Sequence, residues 1–126
     1  MATEILLIDR DKSHAGALGV YLERQQFEVF KADSPDEAMT LFDNLSSEIV
    51  LADPGLPDMD SVHLLKQIKS SHPAIQLIIM CADEHLDQAM DLLKQDVVHY
   101  LVKPVKSAAL DLALKQARTW IAMNKK

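Results

Sequence analysis

One cysteine, Cys81, is present in 126 residues, which excludes an internal disulfide and any cysteine-based zinc cluster. The five histidines, at positions 14, 63, 72, 85 and 99, show no metal-ligand spacing and are expected at the surface. Long apolar runs are missing too. The longest, residues 77–82, has six residues, where a membrane-spanning helix needs roughly 20. The opening Met-Ala-Thr-Glu lacks the basic-then-apolar order of a secretory signal, so a soluble cytoplasmic protein is expected, with no membrane partner. Positive charge is in deficit: 13 Lys and Arg against 19 Asp and Glu leave a formal charge of −6. Such a chain has no basic face to displace counterions from a phosphate backbone, and direct contact with nucleic acid is not expected. No internal repeat or low-complexity linker interrupts it. With 48% apolar and 25% charged residues, residues 1–126 fit one domain of ordinary size.

What is present is organised around residues 49–60, I-V-L-A-D-P-G-L-P-D-M-D. The apolar Ile49, Val50 and Leu51 run into Asp53, and Pro54, Gly55 and Pro57 stop both strand and helix, so a buried strand ends by presenting a carboxylate. Upstream, Ile5-Leu6-Leu7-Ile8 reads as a strand buried on both faces that delivers Asp9-Arg10-Asp11 to its end. Ser13 is placed to cap a helix carrying Ala15, Leu18 and Leu22, and Phe27-Glu28-Val29-Phe30 follows as a second strand. Ser34-Pro35-Asp36-Glu37 is a capping box with proline at the first helical position, and Ala38, Leu41, Phe42 and Leu45 continue its apolar stripe.

After the Asp53 strand, Ser61, Leu64, Leu65 and Ile68 mark a third helix closed by Pro73, and residues 75–80 a fourth strand leading to Cys81 and Ala82. A helix with Leu86, Ala89, Met90 and Leu93 on one face precedes a fifth strand over 97–102, which ends at Lys103-Pro104. The last helix, about 105–123, carries two apolar stripes: Leu110, Ala113, Leu114, Ala117, Ile121, and Ala109, Leu112, Trp120, Met123. That band is wider than packing on one sheet face requires, and with Leu86, Met90 and Tyr100 it predicts a partner or homodimer surface.

Five alternations of strand and helix predict an α/β doubly wound sandwich with a parallel sheet in order 2-1-3-4-5. Ligands of such sheets bind at the strands' C-terminal edge, where Asp9, Arg10, Asp11, Asp53, Cys81 and Lys103 are all expected. Carboxylates beside a lysine suit a hard divalent cation together with a phosphoryl group, and an aspartate can itself be the nucleophile that forms an acyl phosphate.

The order I-L-L-I-D-x-D, V-L-A-D-x-x-L-P-x-M-D, I-I-M-C-A, H-Y-L-V-K-P resembles the receiver domain of two-component response regulators, in register over residues 4–123. The resemblance implies a flavodoxin-like (βα)5 fold and a phosphorelay function. Asp53 would be the acceptor of a phosphoryl group from a histidine kinase or phosphotransfer protein. Asp9, Asp53 and the Gly55 carbonyl would bind Mg²⁺, with Asp11 as a further candidate. Lys103, Cys81 and Ala82 would contact phosphate, Cys81 and Tyr100 would form the switch, and Lys103-Pro104 would be a cis peptide bond. The domain would act as a phosphoacceptor and not as an enzyme, on an effector domain following Lys126 or a separate output protein.

Several residues depart from that pattern. Arg10 stands where the family has a second acid, so the formal charge over positions 9, 10, 53 and 103 is zero instead of −2. Each unit-charge pair at about 5 Å is worth roughly 3 kcal/mol at an effective dielectric of 20, and Mg²⁺ affinity and acyl-phosphate formation are expected to be impaired. Arg10 has two open placements, paired with Asp53 in the metal's place or directed to solvent. Cys81 replaces a Ser or Thr with a weaker donor, Pro54 removes a backbone N–H beside the acceptor, and Ser61 replaces a glycine. These changes keep open a phosphorylation-independent receiver-like module for interaction or dimerisation. A haloacid-dehalogenase-like phosphatase shares Asp9-x-Asp11 but needs a later paired-acid motif and a cap insertion, neither of which is present. A flavin mononucleotide carrier of the same fold needs a Ser/Thr/Gly-rich first loop, and R-D-K-S-H is not one.

Overall fold

The structure is a computed structural model that describes residues 2–55 and 59–124, the side chains of residues 59, 60 and 95 excepted. Five parallel strands, β1 (Glu4–Ile8), β2 (Glu28–Ala32), β3 (Ile49–Ala52), β4 (Gln76–Cys81) and β5 (His99–Val102), form one sheet in the order β2-β1-β3-β4-β5. The register pairs Ile5 with both Val29 and Ile49, Leu51 with Ile78, and Ile79 with Tyr100. Five helices complete the fold: α1 (Lys12–Arg24), α2 (Pro35–Asp43), α3 (Met59–Ser71), α4 (Leu86–Leu93) and α5 (Ser107–Asn124).

The continuous apolar strands are buried on both faces, and the two-residue period of the side chains sorts them into two cores. Ile5, Leu7, Ile49, Leu51, Ile78 and Met80 pack with Leu18 and Leu22 of α1 and Leu110, Leu114 and Ile121 of α5. Leu6, Ile8, Val50, Leu77 and Ile79 pack with Phe42 of α2, Leu65 and Ile68 of α3 and Leu93 of α4. Burying a side chain of this size contributes about 1.5–3 kcal/mol, so the sheet's central residues set the fold.

Some boundaries move relative to the sequence-based expectation. The cap of α1 is Asp11, which accepts the His14 N–H at 3.1 Å, because Asp9 accepts the Asp11 N–H at 2.9 Å and turns the chain two residues earlier than Ser13 would. β2 begins at Glu28, after Gln26 turns the chain at φ 71° and sends Phe27 into the core beneath Arg118. β4 runs one residue further than expected and takes in Cys81, whose carbonyl accepts the Lys103 N–H at 2.8 Å. β5 is the shorter His99–Val102, since a 3₁₀ turn at Lys94–Asp96 precedes it. The capping box of α2 forms with Ser34 accepting the Glu37 N–H at 3.2 Å, but Glu37 reaches back to the Asp33 N–H instead of to that of Ser34.

The last helix buries the stripe Leu110, Ala113, Leu114, Ala117 and Ile121 and exposes Ala109, Leu112, Trp120 and Met123. On α4, Ala89 and Leu93 are buried and Leu86 packs partly buried beside them, as the stripe suggested, but Met90 stays exposed and Leu92 packs inward in its place. No described helix is long and apolar enough to cross a membrane.

Candidate functional site

Three of the loops that leave the C-terminal edge of the sheet are each anchored by a hydrogen bond to the neighbouring strand just where a polar side chain begins. The Asp9 N–H donates to Ala32 O at 3.0 Å, the Asp53 N–H to Ile8 O at 2.8 Å, and the Lys103 N–H to Cys81 O at 2.8 Å. Strand register thus positions two carboxylates and an ammonium before any side-chain contact forms. The side chains then meet: the Lys103 ammonium is in direct contact with Asp53 Oδ2 and lies 3.6 Å from Asp9 Oδ2. The Lys103–Pro104 peptide bond is cis.

Asp9 is 2% exposed and fully engaged. Its Oδ1 accepts the Asp11 N–H at 2.9 Å, and its Oδ2 faces both Lys103 and the imidazole Nδ1 of His14, the latter at 2.5 Å. An ionised carboxylate can only accept, so Nδ1 of His14 carries the hydrogen and donates. Asp53 keeps more solvent access, with 12% of its side chain exposed, and its Oδ1 accepts the Gly55 N–H at 2.7 Å. Gly55 has φ +69°, the left-handed region that a side chain would strain, and this conformation lets the chain fold its N–H back onto the carboxylate.

Burial alone would lower the Lys103 pKa, and it is the largest single influence. The hydrogen bond and charge of Asp53, with those of Asp9, outweigh it and hold the pKa above the ordinary 10.5, so the ammonium stays charged. Cys81 is fully buried at the end of β4, where burial first and then the Asp53 and Asp83 carboxylates push its thiol upward, against the pull of Lys103. At neutral pH it is a protonated thiol. Tyr100 is raised by burial, then by Cys81 and Asp96, and its hydroxyl is buried with no hydrogen-bond partner among the described residues.

The remaining residues singled out by the sequence lie around this centre. Arg10 is exposed, and with Asp33, Asp53, Pro54 and Ser61 it lines a cavity of about 10 Å³, room for about one water. Asp11 does not turn toward the centre: it is exposed and committed to capping α1, and the His14 N–H bond lowers its pKa. Ala82 is half-buried, with its carbonyl accepting the His85 N–H at 2.9 Å. Leu56, Pro57 and Asp58, and the side chain of Asp60, lie outside the described residues.

His14 keeps 28% of its side chain exposed, and it is half-buried as His85 and His99 are, but it reaches the Asp9 carboxylate, which its spacing does not announce. Starting α1 at Lys12 makes His14 the third helical residue, and side chains of a first turn lean back toward the helix N-terminus. Here that direction is the Asp9 carboxylate. A cap at Asp11 instead of Ser13 would have pointed to it.

The donor set is a poor match for Mg²⁺, which takes six oxygens in strict octahedral geometry. Among the described residues no three His, Cys, Asp or Glu side chains are grouped to hold a metal. Asp9 and Asp53 both serve Lys103, Asp9 also serves His14, Asp11 is spent on a helix cap, and position 10 is cationic.

Comparison with known proteins agrees with this geometry. The family model for the response regulator receiver domain matches residues 5–115. The transcriptional regulatory protein ZraR of Klebsiella oxytoca is 32% identical over 114 residues, covering 90% of this chain and 26% of that protein. The response regulator protein FleR of Pseudomonas aeruginosa is 30% identical over 118 residues, covering 93% of this chain and 25% of that protein. The chain therefore spans about a quarter of the length of these curated relatives. A crystal structure of a response regulator receiver domain protein from Clostridium thermocellum superposes with a TM-score of 0.88 at 27% identity, over 98% of this chain and 99% of that one.

Proposed function

The chain belongs to the response regulator receiver domain family of two-component signalling, and from that membership we propose that Asp53 is its phosphoryl acceptor. The observation that carries this reading is the direct ion pair of Lys103 with Asp53, whose carboxylate is the more accessible of the two at the sheet edge. A carboxylate oxygen of Asp53 attacks the phosphorus of a phosphohistidine on a kinase or phosphotransfer protein. The P–N bond breaks, its electron pair returns to the imidazole, and an acyl phosphate forms. Lys103 then faces a dianionic group in place of a carboxylate. The domain is a stoichiometric acceptor and not an enzyme, and a cytoplasmic location goes with this role.

The signal leaves through β4 and β5. On this reading Cys81, which feels the Asp53 charge, and Tyr100, which packs in the core with α4, pass the change to the α4, β5 and α5 surface, where Met90, Val98, Val102, Leu112, Trp120 and Met123 are exposed. We assign this face to a second copy of the chain or to an output domain, in keeping with relatives about four times longer than this chain. A thiol is a weaker donor than the hydroxyl usual there, so coupling between phosphoryl group and Tyr100 is looser than in a Ser or Thr receiver. A second reading, a module that docks without phosphorylation, is favoured by the cation already placed at position 10.

Incubation with phosphoramidate, whose P–N bond imitates that of phosphohistidine, separates the two readings. The expected result is the mass gain of one phosphoryl group on the unmutated chain and none on Asp53→Asn. Equal labelling of both chains, or labelling of neither, removes Asp53 from the role.

A further inference from the structure

The unmatched Mg²⁺ donor set has a positive counterpart, because the charge that a metal would bring is already covalently present. Over the described groups at the centre, Asp9, Asp53 and Asp33 contribute three negative charges, and Lys103, Arg10 and the Lys12 that pairs with Asp33 at 3.6 Å three positive ones. Phosphorylation replaces the single charge of Asp53 with about two. That adds roughly one negative charge beside two fixed cations, whereas a divalent ion entering the unphosphorylated centre would leave a net charge of +2 in a partly buried edge. Asp9, the acid that a metal would need first, has both oxygens occupied, and the imidazole of His14 holds one of them from a position no mobile ion can take without displacing it.

Resting on the reading of Asp53 as acceptor, we infer that this receiver takes its phosphoryl group without a divalent cation. Lys103 and Arg10 supply the countercharge, and the His14–Asp9 pair closes the metal position. Arg10 suits the task because its planar guanidinium offers paired N–H donors to phosphoryl oxygens, and it lines the same cavity as Asp53. The step balances without a metal: an Asp53 oxygen forms the O–P bond, the P–N bond of phosphoramidate breaks, and its electron pair leaves with nitrogen as ammonia.

Two measurements on the full chain test this. In the first, phosphoramidate labelling is followed by intact mass in EDTA and in Mg²⁺, for the unmutated chain, Arg10→Gln and Arg10→Asp. Expected are unmutated rates equal within about threefold in the two buffers, slower labelling of Arg10→Gln in both, and at least about tenfold dependence on Mg²⁺ in Arg10→Asp. In the second, Mg²⁺ is titrated against the amide resonances of Asp9, Asp53 and Gly55. They are expected to stay still at millimolar metal in the unmutated chain and to shift saturably in Arg10→Asp. Labelling of the unmutated chain that rises tenfold or more with Mg²⁺, or saturable shifts in its amides, overturns the inference while leaving Asp53 as acceptor. No labelling in either buffer overturns the acceptor reading and the inference with it.

Discussion

Replacing Tyr100 with Phe should stabilise the domain, contrary to the usual sign for truncating a partly buried aromatic. The Tyr100 hydroxyl is withdrawn from solvent, and no described protein group lies within hydrogen-bonding reach of it, so folding strips its hydration without return. An unsatisfied buried polar group costs about 1–3 kcal/mol. Removing the oxygen leaves a void of roughly 10 Å³, worth about 0.2 kcal/mol at about 24 cal/mol per Å³, while the ring keeps its packing against the core shared by α2, α3 and α4. The balance is a gain of about 1 kcal/mol or more, read as a higher urea midpoint at unchanged slope and a rise in Tm of about 3–6 °C for each kcal/mol. Cys81→Ser supplies the complementary test: a hydroxyl at the neighbouring position can bond Tyr100, so in that background Tyr100→Phe should lose its stabilising effect. A Tyr100→Phe variant less stable than the unmutated chain by 1 kcal/mol or more would show that the hydroxyl is satisfied in solution, and the reasoning would fail.

Three further outcomes follow from the same geometry. Cys81, buried and with its pKa raised, should resist iodoacetamide in the folded protein and react at the rate of a free thiol only in denaturant; fast alkylation of the native chain would mean that the end of β4 opens. Lys103→Met should destabilise by about 1–3 kcal/mol, the buried ion-pair value reduced because the ammonium is 25% exposed. Because the folded pKa of Lys103 is raised, its contribution is fully present below 10.5 and is lost as pH rises through the folded value. Above neutrality, the difference between the two chains in urea midpoints should therefore shrink only at strongly alkaline pH, and a difference already absent at pH 7 would contradict the pairing. Trp120→Ala, which removes a 40% exposed indole from α5, should weaken self-association in sedimentation velocity without changing the fold; concentration-independent monomers for both chains would remove the homodimer.

The fold was legible because its signals are long-range and redundant. Three apolar runs of four to six residues, in β1, β3 and β4, alternate with amphipathic stretches, and a parallel sheet with β2 and β5 at its edges is the arrangement that buries both faces of such runs. The convergence of Asp9, Asp53 and Lys103 was legible for the same reason, since each follows the last apolar residue of its strand. What escaped was decided by single hydrogen bonds. The cap at Asp11 hinges on the Asp9 carboxylate capturing the Asp11 N–H, a contact three residues wide that periodicity does not encode, and with it went the phase of His14. The removal of Asp11 from the centre follows from the same bond. Met90 faces outward because the inward face of α4, two turns long and bounded by 3₁₀ turns, is taken by Ala89 and Leu93, with Leu86 and Leu92 packed partly buried beside them.

Reductive trapping reads out directly whether Asp53 carries the phosphoryl group. Borohydride converts an aspartyl phosphate to homoserine, so after phosphoramidate treatment the peptide containing residue 53 should carry homoserine at that position in fragment-ion spectra, and an untreated sample should carry none. Homoserine at position 9 or 11 with residue 53 unchanged would contradict the claim, as would a phosphorylated chain that yields no homoserine at all.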